Sequence, residues 1–267
     1  MLLDVARRAE TLGFSSLATI GAMAYPTFEE LVVLAGAAGT TERIGLMTDV
    51  LLAPTREPIL LAKQAATLDQ ISGGRFVLGI GVGVGSDDYE VVGADFSTRG
   101  RRLDTQLEIM QRAWRGELVS GSEKPVCPKP TNGHSVPLMF GGRADASVAR
   151  VAKYGVGYTQ GAGTPEGLRA MIERVNAAWQ HAGREGRPEF RALAYFVLGD
   201  EAQAEAHSNF LDYYGEHGKT VWANAIKSVE DAKSRVQAYA EAGCDELLLF
   251  MTYPNLIQTE RLAAAVL

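Results

Sequence analysis

"LDQISGGRFVLGIGVGVGSDDYE", residues 68–90, carries the local pattern that decides the fold of this chain. A helical stretch ends at Gly73 and Gly74, an apolar run begins at Phe76, and Asp87 and Asp88 are predicted as loop and N-cap residues of the next helix. A glycine cap followed by a change from helical period to strand period marks a helix that leads into a strand. The stretch therefore predicts a strand with a helix on either side of it.

The glycines of this strand fall on every second residue, so they share one face of it. They are Gly79, Gly81, Gly83 and Gly85. A dinucleotide fingerprint is excluded because Ser86 stands where its third glycine is needed, and a P-loop is excluded because no lysine follows. A bare strand face indicates either close packing within the fold or a ligand against the backbone. The pattern alone does not choose between the two.

The same helix-to-strand pattern recurs along the chain, with Gly13, Gly155 and Gly243 as predicted left-handed helix caps. Seven strands are predicted: Ser15 to Gly21, Arg43 to Leu52, Phe76 to Gly83, Pro137 to Gly142, Val156 to Gly161, Phe190 to Leu198, and Glu246 to Met251. Alternation with helices indicates a parallel sheet covered by helices. Two architectures fit: an open doubly wound sheet, or an eight-stranded barrel whose first strand is not seen. We favour the barrel.

The composition is that of an ordinary globular protein, with 267 residues of which 46% are hydrophobic and 22% charged. A net charge of −6 gives no electrostatic reason to expect nucleic acid or an anionic membrane as a partner. Two cysteines and four histidines show no metal spacing, so no metal site is predicted. We expect one cytoplasmic domain over residues 1–267, with a long loop at residues 116–137 as a candidate lid or wall of a site.

One family resemblance rests on three motifs that occur in a fixed order. They are "SGGRF" at residues 72–76, "RG" at residues 99–100 and "GG" at residues 141–142. With their surroundings from Thr41 to Glu117, and with flanks covering nearly the whole chain, they resemble the bacterial luciferase-like superfamily of flavin and deazaflavin oxidoreductases. The resemblance implies a (β/α)8 TIM barrel, here apparently lacking the first β-strand, with a flat cofactor ring in its mouth.

Residue by residue, the resemblance implies four cofactor-binding segments at strand ends. They are Thr48, Asp49 and Val50; Gly81, Val82 and Gly83; Gly141, Gly142 and Arg143; and Thr159, Gln160 and Gly161. The first segment matches a strand end where members often carry a non-prolyl cis peptide that supports the ring, here Asp49-Val50. Asp49 departs from the small residue usual there. The third segment precedes a helix, and backbone N–H groups at a helix start suit a phosphate.

No side chain is marked as catalytic by the sequence. The polar pair that many members place after the second strand is missing, and Tyr25 is the nearest hydrogen-bond donor. His134 is the only histidine that we retain as a site candidate. The resemblance implies hydride transfer between a deazaflavin cofactor (F-420) and a small organic substrate, in a homodimer. Two alternatives stay open: an FMN-dependent monooxygenase, and a non-catalytic flavin-binding or dimer-partner protein.

Overall fold

A computed structural model describes residues 1–25, 27–119, 121–251 and 255–267. Its strands are β1 (Ser16–Thr19), β2 (Gly45–Thr48), β3 (Leu51–Leu52), β4 (Phe76–Gly81), β5 (Leu138–Gly141), β6 (Gly157–Gln160), β7 (Glu189–Phe196) and β8 (Glu246–Met251). All pairings are parallel, and the order is β1-β2-β4-β5-β6-β7-β8, with β3 alongside β4. The sheet curls into a nearly closed barrel, which confirms the barrel rather than the open sheet.

Helices connect the strands and cover the outside of the barrel. They are α1 (Leu2–Leu12), α2 (Glu30–Ala38), α3 (Pro58–Ser72), α4 (Asp87–Val91), α5 (Arg99–Trp114), α6 (Asp145–Tyr154), α7 (Pro165–His181), α8 (Asp200–Tyr214), α9 (Gly218–Ala223), α10 (Val229–Ala242) and α11 (Leu256–Val266). The predicted caps Thr164 and Ser228 accept hydrogen bonds from backbone N–H groups at the starts of α7 and α10. Helices α7 and α10 therefore begin directly after the capping residues that the sequence predicted.

The core has two layers because alternate strand residues point to opposite sides of the sheet. Leu78 and Ile80 of β4 are fully buried in the large cluster that the strands share with the helices. Met47, Met139 and Leu248 meet inside the barrel in a separate cluster. Side chains thus fill the inside of the barrel at this level, as they do in other parallel barrels.

Two strand edges remain unpaired, at β1 and β8. Between their described residues no backbone hydrogen bond forms. The hydroxyls of Ser15 and Ser16 instead donate to the Glu246 carboxylate, at 2.5 Å and 2.8 Å, at the lower end of the gap. Above them an open gap of about 770 Å³ lies between the two strands, and residues of α1 and α11 line its outer side. Seven strands therefore enclose the barrel almost completely.

Two local predictions need correction. The stretch from Arg43 to Leu52 is not one strand, because pairing stops between β2 and β3 at the cis peptide Asp49-Val50. Gly155 ends α6 in an extended conformation, with φ of −83°, so it is not a left-handed cap. Gly13 and Gly243, with φ of 100° and 94°, are left-handed caps as predicted.

The loop at residues 116–137, which was predicted as a lid, does not lie at the barrel mouth. Residue 120 is outside the described part of the chain. It joins α5 to the start of β5, and it packs along α3, where Lys63 donates to the Cys127 carbonyl and Gln70 to the Lys129 carbonyl. Connections from a helix to a strand lie at the lower end of a barrel, opposite the mouth. The lid prediction is therefore wrong.

Across residues 1–25, 27–119, 121–251 and 255–267, no helix combines the length and the apolar composition that a bilayer span requires. The same residues contain no cluster of three or more His, Cys, Asp or Glu side chains placed to hold a metal ion.

Candidate active site

The barrel mouth brings together the strand ends that the sequence singled out. Thr48 ends β2, Gly81 ends β4, Gly141 ends β5 and Gln160 ends β6. Because these strands are parallel, their carboxyl ends all meet at one face, which is where barrel enzymes place their active sites. The four predicted segments therefore lie at the mouth.

Val50 lies at this face, against the ends of β4 and β5. The peptide bond before it is cis, as the resemblance implied. A methyl group added at Gly81 would lie 2.7 Å from a Val50 methyl, and one added at Gly141 would lie 3.4 Å from the other. Val50 therefore rests on the bare backbones of β4 and β5, and the glycines make room for it. We call these three residues the Val50 platform.

The resemblance implied a cofactor ring in the barrel mouth, beside the bare face of β4. The structure instead places other parts of the protein against most of this face. At Gly79 an added methyl group would lie 1.9 Å from the Thr48 carbonyl oxygen, so this glycine lets β2 approach β4 closely. At Gly83, where φ is 70°, an added methyl group would lie 3.2 Å from the Leu52 side chain. Only Gly85 has open space around it. Packing within the barrel, rather than direct ligand contact, explains the alternation at Gly79 and Gly81.

Asp49 extends from the end of β2 across the inside of the barrel. The Thr159 hydroxyl on β6 donates to its Oδ1 at 2.7 Å, and the side chain is only 6% exposed. Burial raises the pKa of Asp49 to about 7, against the lowering effects of the Thr159 hydrogen bond and the Arg191 charge. This carboxyl therefore changes protonation near neutral pH, directly beneath the Val50 platform.

Three buried polar atoms at these strand ends have no hydrogen-bond partner among the described residues. They are Thr19 Oγ1, Asp49 Oδ2 and Gln160 Oε1. Buried polar groups in folded proteins are nearly always paired, and exceptions commonly mark a place for water or a ligand. The mouth therefore offers unsatisfied hydrogen-bonding groups around a half-buried valine.

The turn after β5 combines backbone and cationic groups. Gly142 has φ of 107°, and α6 begins after it with no side chain capping its N–H groups. Arg143 is exposed, and its carbonyl accepts a hydrogen bond from Arg174 that ties the turn to α7. Gly161, at the neighbouring strand end, has no atom within 4 Å of an added methyl group. Free N–H groups, a cation and an open rim suit an anionic tail.

The two candidates for proton transfer, Tyr25 and His134, lie at opposite ends of the barrel. Tyr25 reaches the mouth, where its hydroxyl donates weakly to the Asn209 carbonyl at 3.5 Å. His134 lies in the loop at the lower end of the barrel, where its ring and its backbone N–H contact Asn132. The structure therefore brings Tyr25 to the site and leaves His134 away from it.

An aromatic group beside Tyr25 was not anticipated. Tyr213 of α8 packs edge-on against Tyr25 with ring centroids 4.5 Å apart, and Tyr214 exchanges a hydrogen bond with Tyr195 of β7. Phe250 of β8 completes the group. The adjacent tyrosines at positions 213 and 214 were the one signal in the sequence, but neighbours on a helix point in different directions and give no hint of a shared site.

The family described as luciferase-like monooxygenase matches residues 1–249. This chain belongs to the luciferase-like monooxygenase family. The match confirms the prediction that the chain belongs to this superfamily. It also confirms the prediction that the protein is an oxidoreductase or monooxygenase of this kind. Among its relatives, the uncharacterized protein Rv0940c of Mycobacterium tuberculosis is 31% identical over 221 residues, which cover 72% of this chain and 76% of the relative.

Solved structures share the fold of this luciferase-like chain at low sequence identity. An F420-dependent secondary alcohol dehydrogenase in complex with an F420-acetone adduct superposes with a TM-score of 0.83 at 19% identity, covering 99% of this chain and 93% of that one. The oxygenating constituent of 3,6-diketocamphane monooxygenase from Pseudomonas putida, in complex with FMN, has a TM-score of 0.76 at 16% identity, covering 100% of this chain and 92% of that one. Both kinds of cofactor therefore occur among proteins with this fold.

Proposed function

We propose that this protein is an oxidoreductase that uses a deazaflavin cofactor (F-420) to transfer a hydride to or from a small organic substrate. The Val50 platform carries the proposal. In a chain of this family, it provides a half-buried apolar surface, backed by glycine backbone, at the end of the barrel where barrel enzymes act. A flat ring can lie on such a surface without displacing a side chain.

The residues present fit a ring with a polar edge and an anionic tail. Unpartnered groups of Thr19, Asp49 and Gln160 border the platform within the described part of the chain. Arg143 and the uncapped start of α6 stand at one side, where they would hold a phosphate. When bound, the cofactor supplies the hydride chemistry, and the protein supplies orientation and access. We propose the predicted segments at residues 48–50, 81–83, 141–143 and 159–161 as its binding residues.

Support for the deazaflavin comes from the structural comparison and from the sequence motif after β4. The F420-dependent alcohol dehydrogenase superposes with the higher of the two TM-scores, 0.83 against 0.76. The stretch "GVGVGSDDYEVVGADFSTRGRR", residues 81–102, looks most like the deazaflavin branch of the superfamily. The homodimer and the cytoplasmic location stay predictions from the sequence.

An FMN-dependent monooxygenase is the second candidate, because the FMN-bound 3,6-diketocamphane monooxygenase shares the fold over the whole chain. Absorbance titration of the purified protein with each cofactor separates the two. Saturable binding of the deazaflavin with little FMN binding supports the first proposal, and tight FMN binding without deazaflavin binding overturns it. If neither cofactor binds to folded protein, the non-catalytic alternative replaces both.

A matched pair of variants sharpens this titration. Val50→Asp places a charge on the platform and is expected to abolish binding of either ring, whereas Val84→Asp changes a fully exposed side chain just beyond β4. Val84→Asp is expected to bind as the unchanged protein does. Undiminished binding by Val50→Asp would show that the ring does not lie on Val50.

A further inference from the structure

One buried carboxyl at the barrel mouth, that of Asp49, has contacts that suit only its neutral form. It directly precedes Val50 in the chain and is 6% exposed. Its Oδ1 accepts a hydrogen bond from the Thr159 hydroxyl, and its Oδ2 has no partner among the described residues. A buried carboxylate needs several donors or a cation to replace the water that it loses. A single donor leaves most of that need unmet.

The cation whose charge reaches Asp49, Arg191 of β7, is engaged elsewhere. Its guanidinium forms ion pairs with Glu189 at 2.8 Å and with Glu246 at 3.0 Å, and it donates to the Met47 sulfur at 3.3 Å. Within the described part of the chain, Asp49 itself takes part in no ion pair. An ionised Asp49 would therefore be a buried charge without a paired cation, which is costly. The neutral acid is the form that these contacts accommodate.

The other titratable groups that interact with Asp49 are phenols. They are Tyr158 of β6 and Tyr195 of β7, where burial raises the pKa and a charge on Asp49 raises it further. Both phenols are therefore neutral near pH 7 and supply no compensating charge. Burial raises the pKa of Asp49 itself to about 7. Within this group of side chains, a change in protonation near neutral pH therefore occurs at Asp49.

A ring on the Val50 platform would shift this balance in one direction. It would exclude water from Val50, which is half-buried, and from the carboxyl next to it. Loss of water disfavours the ionised form of a carboxyl. F-420 and FMN each carry a phosphate, and charges in a partly buried site are poorly screened by salt. Both effects favour a proton on Asp49 when the cofactor is bound.

We infer that Asp49 is a positioning residue that couples cofactor binding to one proton: the protein holds the cofactor with Asp49 as the neutral acid, and ionised Asp49 opposes binding through the Val50 platform. This deepens the proposed function and rests on it in placing a cofactor on that platform. When the ionised protein binds, the carboxylate takes one proton from solvent and no other bond changes. Affinity therefore falls as the pH rises through the pKa of Asp49 in the free protein.

Calorimetric titration at about pH 8, in two buffers with different heats of ionisation, counts the protons taken up on binding. The probe is F-420, and FMN replaces it where F-420 does not bind. Free Asp49 is mostly ionised at this pH, so the unchanged protein is expected to take up close to one proton more per cofactor than Asp49→Asn. At about pH 6 the two proteins are expected to take up nearly the same number, because Asp49 is already protonated.

The same titrations give the affinities. Between about pH 6 and about pH 8 the unchanged protein is expected to lose roughly tenfold more affinity than Asp49→Asn. Titration of the cofactor itself is common to both proteins and cancels in this comparison. Glu173→Gln, at an exposed carboxylate on α7, is the control and is expected to behave as the unchanged protein does.

Thr159→Val is a second variant that keeps the test open if Asp49→Asn does not fold. It removes the hydrogen bond that lowers the pKa of Asp49, so its loss of affinity is expected to begin at a higher pH than in the unchanged protein. A purely structural role of this contact would weaken binding equally at every pH. An unshifted pH profile for Thr159→Val would overturn the inference.

Failure of the inference and failure of the proposed function give different results. Cofactor binding with equal proton uptake by the unchanged protein and Asp49→Asn would overturn the inference and leave the proposed function intact. Proton-coupled binding of FMN without binding of F-420 would support the role of Asp49 and remove the deazaflavin. Absence of binding of either cofactor to folded protein would remove both.

Discussion

The Asp49 carboxyl makes the stability of the protein depend on pH in a way that one substitution removes. Burial raises its folded-state pKa from 3.8 to about 7. Between these two values the folded protein holds a proton that the unfolded chain has released, so stability falls as the pH rises. The contribution is fully present below the unfolded-state pKa and is lost as the pH passes through the folded-state pKa. Asp49→Asn has nearly the same shape and does not titrate in this range.

The size of the effect follows from the two pKa values. Each unit of difference corresponds to about 1.36 kcal/mol, so ionising Asp49 in the folded protein costs about 4 kcal/mol. Integrated between pH 5 and pH 8, the loss from this one group is roughly 2.5 kcal/mol. The other carboxylates titrate in both proteins, so the difference between their pH profiles isolates Asp49.

Urea unfolding of the cofactor-free protein, followed by circular dichroism at half-unit steps from about pH 5 to about pH 8, measures the effect. The unchanged protein is expected to lose roughly 2.5 kcal/mol more than Asp49→Asn over this range. Thr159→Val removes the hydrogen bond that lowers the Asp49 pKa, so its decline is expected to extend to higher pH. Asp145→Asn, at an exposed carboxylate on α6, is the control. Parallel profiles for the unchanged protein and Asp49→Asn would refute the reasoning.

Three further substitutions test other features. Gly81→Leu places a side chain against Val50 and is expected to lower the free energy of unfolding, measured with urea, by roughly 1–3 kcal/mol. Val50→Ala in the same chain is expected to restore part of this loss, and no recovery would contradict the platform geometry. Arg143→Ala is expected to weaken binding of the phosphate-bearing cofactor roughly tenfold without lowering the melting temperature, and unchanged affinity would place the phosphate elsewhere. Gly13→Ala, at φ 100°, is expected to cost about 1 kcal/mol, whereas Gly85→Ala, which has open space and no positive φ, is expected to cost far less.

Much of the fold was predictable because its signals are local. The extent of β8 was predicted to the residue, and the other strands differ mainly at their ends, where hydrogen-bond pairing rather than apolar pattern sets the limit. The caps at Gly13, Thr164 and Ser228 were predictable because each acts on backbone groups within a few residues of itself. The grouping of the four cofactor segments followed from parallel strands, whose carboxyl ends meet at one face.

The site itself depended on contacts that no local pattern records. The hydrogen bond from Thr159 to Asp49 joins residues 110 positions apart across the inside of the barrel. The aromatic group beside Tyr25 joins β7, α8 and the segment after β1, which are distant in sequence. His134 was retained as a site candidate because its proline-rich loop has no periodicity that would predict where the loop packs. In the structure this loop lies along α3, away from the barrel mouth. The order of residues in the chain predicts which residues share a face of a strand. Which residues of different strands come into contact depends on how the barrel closes.

The alternating glycines show where the division lies. The sequence by itself determined that β4 has one bare face, since the period of a strand is a property of the backbone. It also determined the family, since the order of motifs is a property of the chain. Only the tertiary structure decided what covers the bare face: the Thr48 carbonyl at Gly79 and the Val50 side chain at Gly81. Thr48 ends β2 and Val50 lies between β2 and β3, so the position of both depends on how these strands pack beside β4.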